Sequence, residues 1–261
     1  MARRRAPPFN TAARESKSMA SATQYYLRKD VFFCTDQGHL FFLDLKKDKY
    51  LSIPRKQTIL LQDFFRRLTL PTEEEGDPAD SLSPDVIVSL SRNLADSGIL
   101  TTTPSDGKKA VETHWPTASA DLIEGDNRER PTANAAAVVR FLAASTAASA
   151  KLRWQTLDRT VRSVQARRHR RHPADGPPRR ARVKHLVQIF QALRPIYPRK
   201  YLCLFDSLAL SGFLSFYDIY PRWVFGVTAE PFHAHCWLED DGLVYNDQLD
   251  RVRQYKAIMV V

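Results

Sequence analysis

Cysteine is scarce in this chain. Cys34, Cys203 and Cys236 are the three that occur in 261 residues, an odd number with no paired spacing. That pattern excludes a disulfide framework and a cysteine-rich zinc cage. It fits a reducing compartment, where an isolated thiol is either a nucleophile or a small buried apolar residue. Phosphate-binding glycine patterns are missing too: no Walker-type or GxGxxG loop is present, so nucleotide binding by those means is not expected. Long hydrophobic runs are also lacking. The longest alanine-rich stretch, Ala135 to Ala150, is broken by Arg140 and reads as too short to span a membrane. The opening MARRRAPPFNTAARESKSMASAT is Arg-rich with no apolar run behind it, which excludes a secretory signal. Residues 1–23 read as a disordered tail rather than a transit peptide, with Met19 as an alternative start, and a cytoplasmic location is expected.

Acidic charge is almost absent from one region. Between Lys151 and Lys200 there are 15 Lys and Arg against Asp158 and Asp175, a local charge of +13. The whole chain carries +10, so the remainder sums to −3. Basicity this local argues against a protein that coats nucleic acid along its length. The basic run also lacks interleaved aromatics, with Trp154 nearly alone. A solvated loop, or a patch that docks a partner protein, is the favoured account. His169 and His172 lie in that run without Cys or acidic neighbours suited to zinc, and no metal site is expected.

The texture of the chain predicts an α+β protein in two parts. Residues 24–103 read as three strands followed by helices. Tyr25–Cys34 and His39–Leu45 are aromatic-rich runs around a Thr-Asp-Gln-Gly turn, and Tyr50–Ile53 is a third strand ended by Pro54. Gln57–Leu68 and Ser83–Ser97 carry helical spacing, with Gly98 placed to follow the second helix. Residues 104–133 are rich in Thr, Pro, Ser, Asp and Gly and read as a linker. Residues 134–261 form the second part. Helical sequence runs from Asn134 to about Arg168, RRHRRHPADGPPRRAR reads as an exposed loop, and an amphipathic helix resumes at Arg182. An apolar helix, CLFDSLALSGFLSF, then precedes strands at Trp223–Val227, Ala234–Glu239 and Leu243–Tyr245, the last two joined through Asp240-Asp241-Gly242.

Three residues of the second part suit nucleophilic catalysis. Cys203 opens the apolar helix, where the positive helix end favours thiolate over thiol. His235 lies in the strand AHCWLE as a general base facing Cys203. Alternation puts His235, Trp237 and Glu239 on one face and Ala234, Cys236 and Leu238 on the other, so Cys236 is expected to point away from the catalytic thiol. Asp247 follows the hairpin strand and is placed to orient the imidazole, with Asp250 as its rival. The order Cys, His, Asp, with the cysteine on a helix and the others on neighbouring strands, points to a papain- or transglutaminase-like core.

The stretch CLFDSLALSGFLSFYDIYPRWVFGVTAEPFHAHCWLEDDGLVYND resembles the C-terminal core of lasso-peptide B proteins, the transglutaminase-like leader peptidases of lasso-peptide gene clusters. The resemblance is carried by Cys203-Leu204, Ser207–Leu210, Gly226-Val227, Pro231-Phe232, Ala234–Trp237 and Asn246-Asp247. It implies that Cys203, His235 and Asp247 are the catalytic Cys, His and Asp. Cys236 stands where the family pattern has Ala, and Ser215–Phe225 lacks the family's Arg-rich character. The N-terminal part looks like a RiPP recognition element, a winged-helix-like fold of three strands and helices. The resemblance implies that the leader peptide adds as a strand beside Lys49, Tyr50, Leu51, Ser52 and Ile53. It further implies a cysteine endopeptidase that needs no cofactor of its own, a lasso precursor peptide as substrate and an ATP-dependent macrolactam cyclase as partner. An acyltransferase using the same triad and a basic nucleic-acid-binding protein are the alternatives.

Overall fold

The computed structural model describes residues 24–55, 84–123, 131–169 and 177–261. The expected tail, the helix read over Gln57–Leu68 and the centre of the Arg-rich loop lie outside the described residues. In chain order the elements are strands β1 (Tyr26–Arg28), β2 (Val31–Asp36), β3 (His39–Asp44) and β4 (Lys49–Ile53), then helix α1 (Pro84–Asp96). Short strands β5 (Leu100–Thr101), β6 (Gly107–Lys108) and β7 (Ala120–Asp121) follow, then helices α2 (Ala135–Trp154), α3 (Leu157–His169), α4 (Pro177–Leu193) and α5 (Cys203–Ser215). The chain closes with β8 (Arg222–Thr228), β9 (His233–Asp240), β10 (Leu243–Val244), α6 (Leu249–Val252) and β11 (Lys256–Val260).

The strand expected over Tyr25–Cys34 is two strands in two sheets. Polar Lys29-Asp30 interrupts the apolar run and turns the chain. The Asp30 carboxylate accepts from Arg28 Nη2 at 2.6 Å, while its backbone carbonyl accepts the Leu45 N–H at 3.0 Å. Thus β1 pairs with β5 and β6, whereas β2 joins a separate sheet in the order β2-β3-β4. The β2–β3 hairpin turns at Gln37 (φ 48°) and Gly38 (φ 81°), the doubly left-handed geometry that matches strand twist.

That three-stranded sheet is covered on both faces. Leu40 and Phe42 of β3 pack with Leu94 of α1 and Leu100, while Cys34, Phe41 and Leu43 face the opposite way, into the core of the C-terminal part. Both faces being buried accounts for the nearly unbroken apolar run in β3. The 104–133 segment, read as a linker, pairs with both parts. Gly107–Lys108 joins the β1 sheet, Glu112 accepts the Thr35 N–H at 2.6 Å, and the Thr113 hydroxyl donates to the Ile258 carbonyl at 2.7 Å. Ala120–Asp121 then pairs in parallel with β10.

The C-terminal part is a five-stranded sheet, order β11-β8-β9-β10-β7, against which α5 packs, with α2 packed on α5. Helix α5 is apolar on nearly every side and correspondingly buried, from Phe205 to Leu214. Helix α2 starts at an Asn134 cap that accepts the Ala137 N–H at 2.8 Å. It runs past the alanine-rich stretch to Trp154, short of the helical sequence read to about Arg168, and by length and composition it is long and apolar enough to cross a membrane. In the fold, its Ala137, Phe141, Ala144 and Ala148 lie in the core. The helices flanking the Arg-rich loop also extend beyond expectation: α3 reaches His169, and α4 begins at Pro177, where a missing N–H costs a helix nothing.

Candidate active site

Helix α5 begins without a side-chain cap. Leu202 is extended (φ −140°, ψ 126°) and offers no oxygen to the first-turn N–H groups, which leaves the positive helix end facing whatever lies at Cys203. The helix start is held from behind. Asp206 accepts the Leu202 N–H at 2.9 Å through one carboxylate oxygen and Arg194 Nε at 2.5 Å through the other. Arg194 is buried, and its Nη atoms donate to the carbonyls of Tyr197, Arg199 and Lys200. One cation of the basic region is therefore a structural clamp that fixes the turn entering α5. Asp206→Ala is expected to strand this buried guanidinium and lower unfolding free energy by about 3–5 kcal/mol. Denaturant titration checks this, and a loss under roughly 1 kcal/mol, the worth of an exposed pair, would show that the clamp contributes little.

His235 meets Asp247 where β9 has an open margin. Strand β10 pairs with β9 only at Glu239 and Asp240, and beyond it Asn246 accepts the Leu238 N–H at 2.7 Å. Next along that margin, His235 Nε2 hydrogen-bonds Asp247 Oδ2, and both residues are buried. The other carboxylate oxygen of Asp247 accepts the Gln248 N–H at 2.8 Å. Cys203 is the second side chain that acts on the imidazole, by hydrogen bonding and by charge. Asp250 is exposed on α6 and takes no part. The structure thus brings Cys203, His235 and Asp247 together.

Cys236 does not point away from the nucleophile as alternation suggested. It hydrogen-bonds the Cys203 side chain, and its backbone carbonyl accepts from the Ser207 hydroxyl at 3.2 Å. Alternation itself holds: Cys236 and Leu238 face α5, while His235, Trp237 and Glu239 face the other way. The error lay in placing Cys203 on the histidine's side alone. As the first residue of α5 it stands at the open strand margin and reaches side chains from both faces of β9.

These contacts set the protonation states. The Cys203 pKa falls to about 4, chiefly because the Cys236 thiol donates to its thiolate; burial opposes this, while the hydrogen bond and charge of His235 add to it. Burial alone would depress His235, but its hydrogen bonds to Asp247 and Cys203 and their negative charges raise it to about 9. Burial pushes Asp247 toward the neutral acid. The His235 bond, the Gln248 N–H and the charges of His235 and Arg251 outweigh that and hold it below the ordinary carboxylate range. Cys236 is driven well up by burial and by the adjacent Cys203, so it stays a thiol. Cys34, buried in β2, is pushed up to about 12 by burial first and by Glu112 and Asp36 next. A half-exposed thiolate beside an imidazolium is a nucleophile ready for attack on a carbonyl.

The thiolate–imidazolium pair exists only between the two limits. Turnover is expected to be flat from about pH 5 to 8, falling on the acid side as Cys203 takes a proton and on the alkaline side as His235 loses one. Cys236→Ala removes the thiol donor and should move the acid limb upward while leaving activity near neutral pH. A pH–rate profile with an unmoved acid limb would contradict the role given to Cys236.

Several residues support the site in ways the sequence reading did not assign to them. Tyr255 packs against His235 with ring centroids 5.1 Å apart, and Trp237 stacks on the same imidazole at 6.0 Å. Gly226, paired with His235 across the strands, leaves room for them: a Cβ there would meet Tyr255 at 2.8 Å and Trp237 at 2.9 Å. Asn246 Nδ2 donates to Ser207 Oγ at 3.0 Å, joining the Asp247 loop to α5. Buried Glu239 accepts from Trp237 and Trp115 at 2.9 and 3.1 Å. Trp115 comes from the segment read as a linker, and nothing in its local sequence signals this partner.

Residues 142–260 match the transglutaminase-like superfamily. A transglutaminase-like domain is therefore found in this chain. Its bounds take in α5, the five-stranded sheet apart from β7, and all three residues of the Cys203–His235–Asp247 cluster. No curated protein and no solved structure matches the chain. Domains of this kind are commonly enzymes, and the domain points to cysteine-protease or acyltransferase-like chemistry. Among the described residues Lys49–Ile53, expected to receive the leader, form the outer strand β4 of the N-terminal sheet, with Lys49, Leu51 and Ser52 exposed.

Proposed function

We propose that this protein is a cysteine endopeptidase that cleaves a lasso-peptide precursor at the end of its leader. The observation that carries this reading is the Cys203–His235–Asp247 cluster at the start of an open helix, joined to a resemblance spanning Cys203 to Asp247. Cys203 attacks the scissile carbonyl, His235 passes a proton to the leaving amine, and Asp247 holds the imidazole in place. The Cys203 N–H supplies one oxyanion donor, since the uncapped helix start leaves it free of a side-chain partner. Water then releases the leader as a free acid, and the core peptide passes to an ATP-dependent macrolactam cyclase.

The N-terminal sheet is proposed to hold the leader. Among the described residues β4 is the outer strand of the order β2-β3-β4, a place where an extended peptide can join by strand addition. A winged-helix-like recognition element is proposed for this part. Incubating the protein with a linear precursor peptide should give two fragments whose summed mass exceeds the precursor by one water, with a free carboxylate on the leader. Transfer of the leader's acyl group to an added amine, without hydrolysis, would replace this reading with an acyltransferase.

A further inference from the structure

The two parts of the chain meet at an aromatic cluster of Phe41, Tyr50 and Phe232. Tyr50 of β4 stands opposite Leu43 of β3, and both side chains face the C-terminal core. Phe232, in the turn that enters β9 three residues before His235, lies 5.9 Å from the Tyr50 ring. It also stacks on Phe41 at 5.7 Å with an interplanar angle of 21°. Phe232 is nonetheless 46% exposed. An aromatic ring fixed by two others but left open to water is a preformed apolar surface. Tyr50 packs on the same core that Cys203 and Leu204 pack on. Burial pushes its hydroxyl well up, and the Cys236 and Cys203 sulfurs add to that shift.

The direction of the substrate assigns this surface a role. A leader lies on the acyl side of the bond to be cut, so the segment running from the β4 edge to Cys203 precedes the scissile bond. Tyr50 is the aromatic side chain that β4 turns toward the catalytic part, and Phe232 adjoins it. We infer that Tyr50 and Phe232 form an acyl-side subsite at Cys203 that selects an apolar side chain immediately before the scissile bond, an inference resting on Cys203 being the nucleophile of a leader peptidase. Cleavage specificity is then set jointly by the two parts of the chain, and the N-terminal sheet supplies a wall of the cleft.

The test uses thiol-directed probes that need no precursor. The full-length protein is treated with acetyl-alanyl or acetyl-phenylalanyl chloromethyl ketone, and alkylation of Cys203 is timed by mass spectrometry. Iodoacetamide, which has no side chain to seat, reports the thiolate itself. The wild-type protein is expected to react with the phenylalanyl probe at least about tenfold faster than with the alanyl one. In Phe232→Ala and in Tyr50→Ala that ratio should fall to within about twofold, while the iodoacetamide rate changes by less than about threefold. Phe232→Leu, which keeps an apolar side chain, should retain an intermediate ratio and guards against a folding defect. A wild-type ratio near one, or a ratio preserved in both alanine variants, overturns the subsite. Failure to hydrolyse a lasso precursor, with probe selectivity intact, would overturn the leader-peptidase reading and leave the subsite standing.

Discussion

Cys203→Ala is expected to abolish cleavage while the protein still binds a leader peptide. Removing the nucleophile of a comparable triad costs on the order of 10⁶ in rate, so only background hydrolysis should remain. Leader affinity should change little, because the strand addition proposed for the leader involves the backbone of β4 rather than the thiol. Binding has to be measured on the intact chain. The sheet that carries β4 buries Cys34, Phe41 and Leu43 against the C-terminal core, and a fragment ending near Thr103 would expose that face. Cys34→Ala provides the contrast: its thiol is fully buried and pushed up to about 12, so the change touches packing and not turnover. Titration calorimetry with Cys203→Ala, beside a cleavage assay, checks both halves. Cleavage by Cys203→Ala at near the wild-type rate would remove Cys203 from the mechanism.

Asp247→Asn is expected to slow cleavage by about 10²- to 10⁴-fold, the upper end being the effect of this change in a serine-protease triad. An amide retains the shape but can present N–H where Nε2 needs an acceptor, and the ring then takes the wrong tautomer. A second signature separates this from a folding defect. Without the carboxylate, burial dominates at His235 and its pKa falls, so the alkaline limb of the pH–rate profile should move down from about 9. Asp250→Asn alters an exposed acid on α6 and should stay within a few-fold of the wild type. A severe defect in Asp250→Asn with a mild one in Asp247→Asn would transfer the orienting role to Asp250.

Secondary structure near the site was largely legible because its signals are local. The apolar run from Cys203 begins a helix at the expected residue, and α1 lies within one residue of the stretch read for it. The Asp-Asp-Gly hairpin folds with Asp241 and Gly242 both at positive φ (48° and 74°), as a two-residue turn between twisted strands requires. Where the reading failed, partners far apart in sequence decided the outcome. Strand β11 was missed because Lys256–Val260 makes sense only against β8. Trp115 gave no local hint that it would cap Glu239, 124 residues away.

The sequence by itself determined the parts of the candidate site: a thiol at a helix start, an imidazole on a following strand, and a carboxylate just past a hairpin. Those features depend on residue type and on periods of a few residues, which the chain carries locally. The tertiary structure alone decided which groups share a space. It placed Asp247 rather than Asp250 on His235, set Cys236 against Cys203 instead of behind the strand, and packed Tyr50 of the N-terminal sheet on the core that Cys203 also meets. Periodicity specifies the face of a strand on which a side chain lies, whereas the position of another element's end along that strand follows from packing. Here α5 is seated on β9 so that its first residue emerges at the strand's open margin, within reach of both faces, and that placement defines the site.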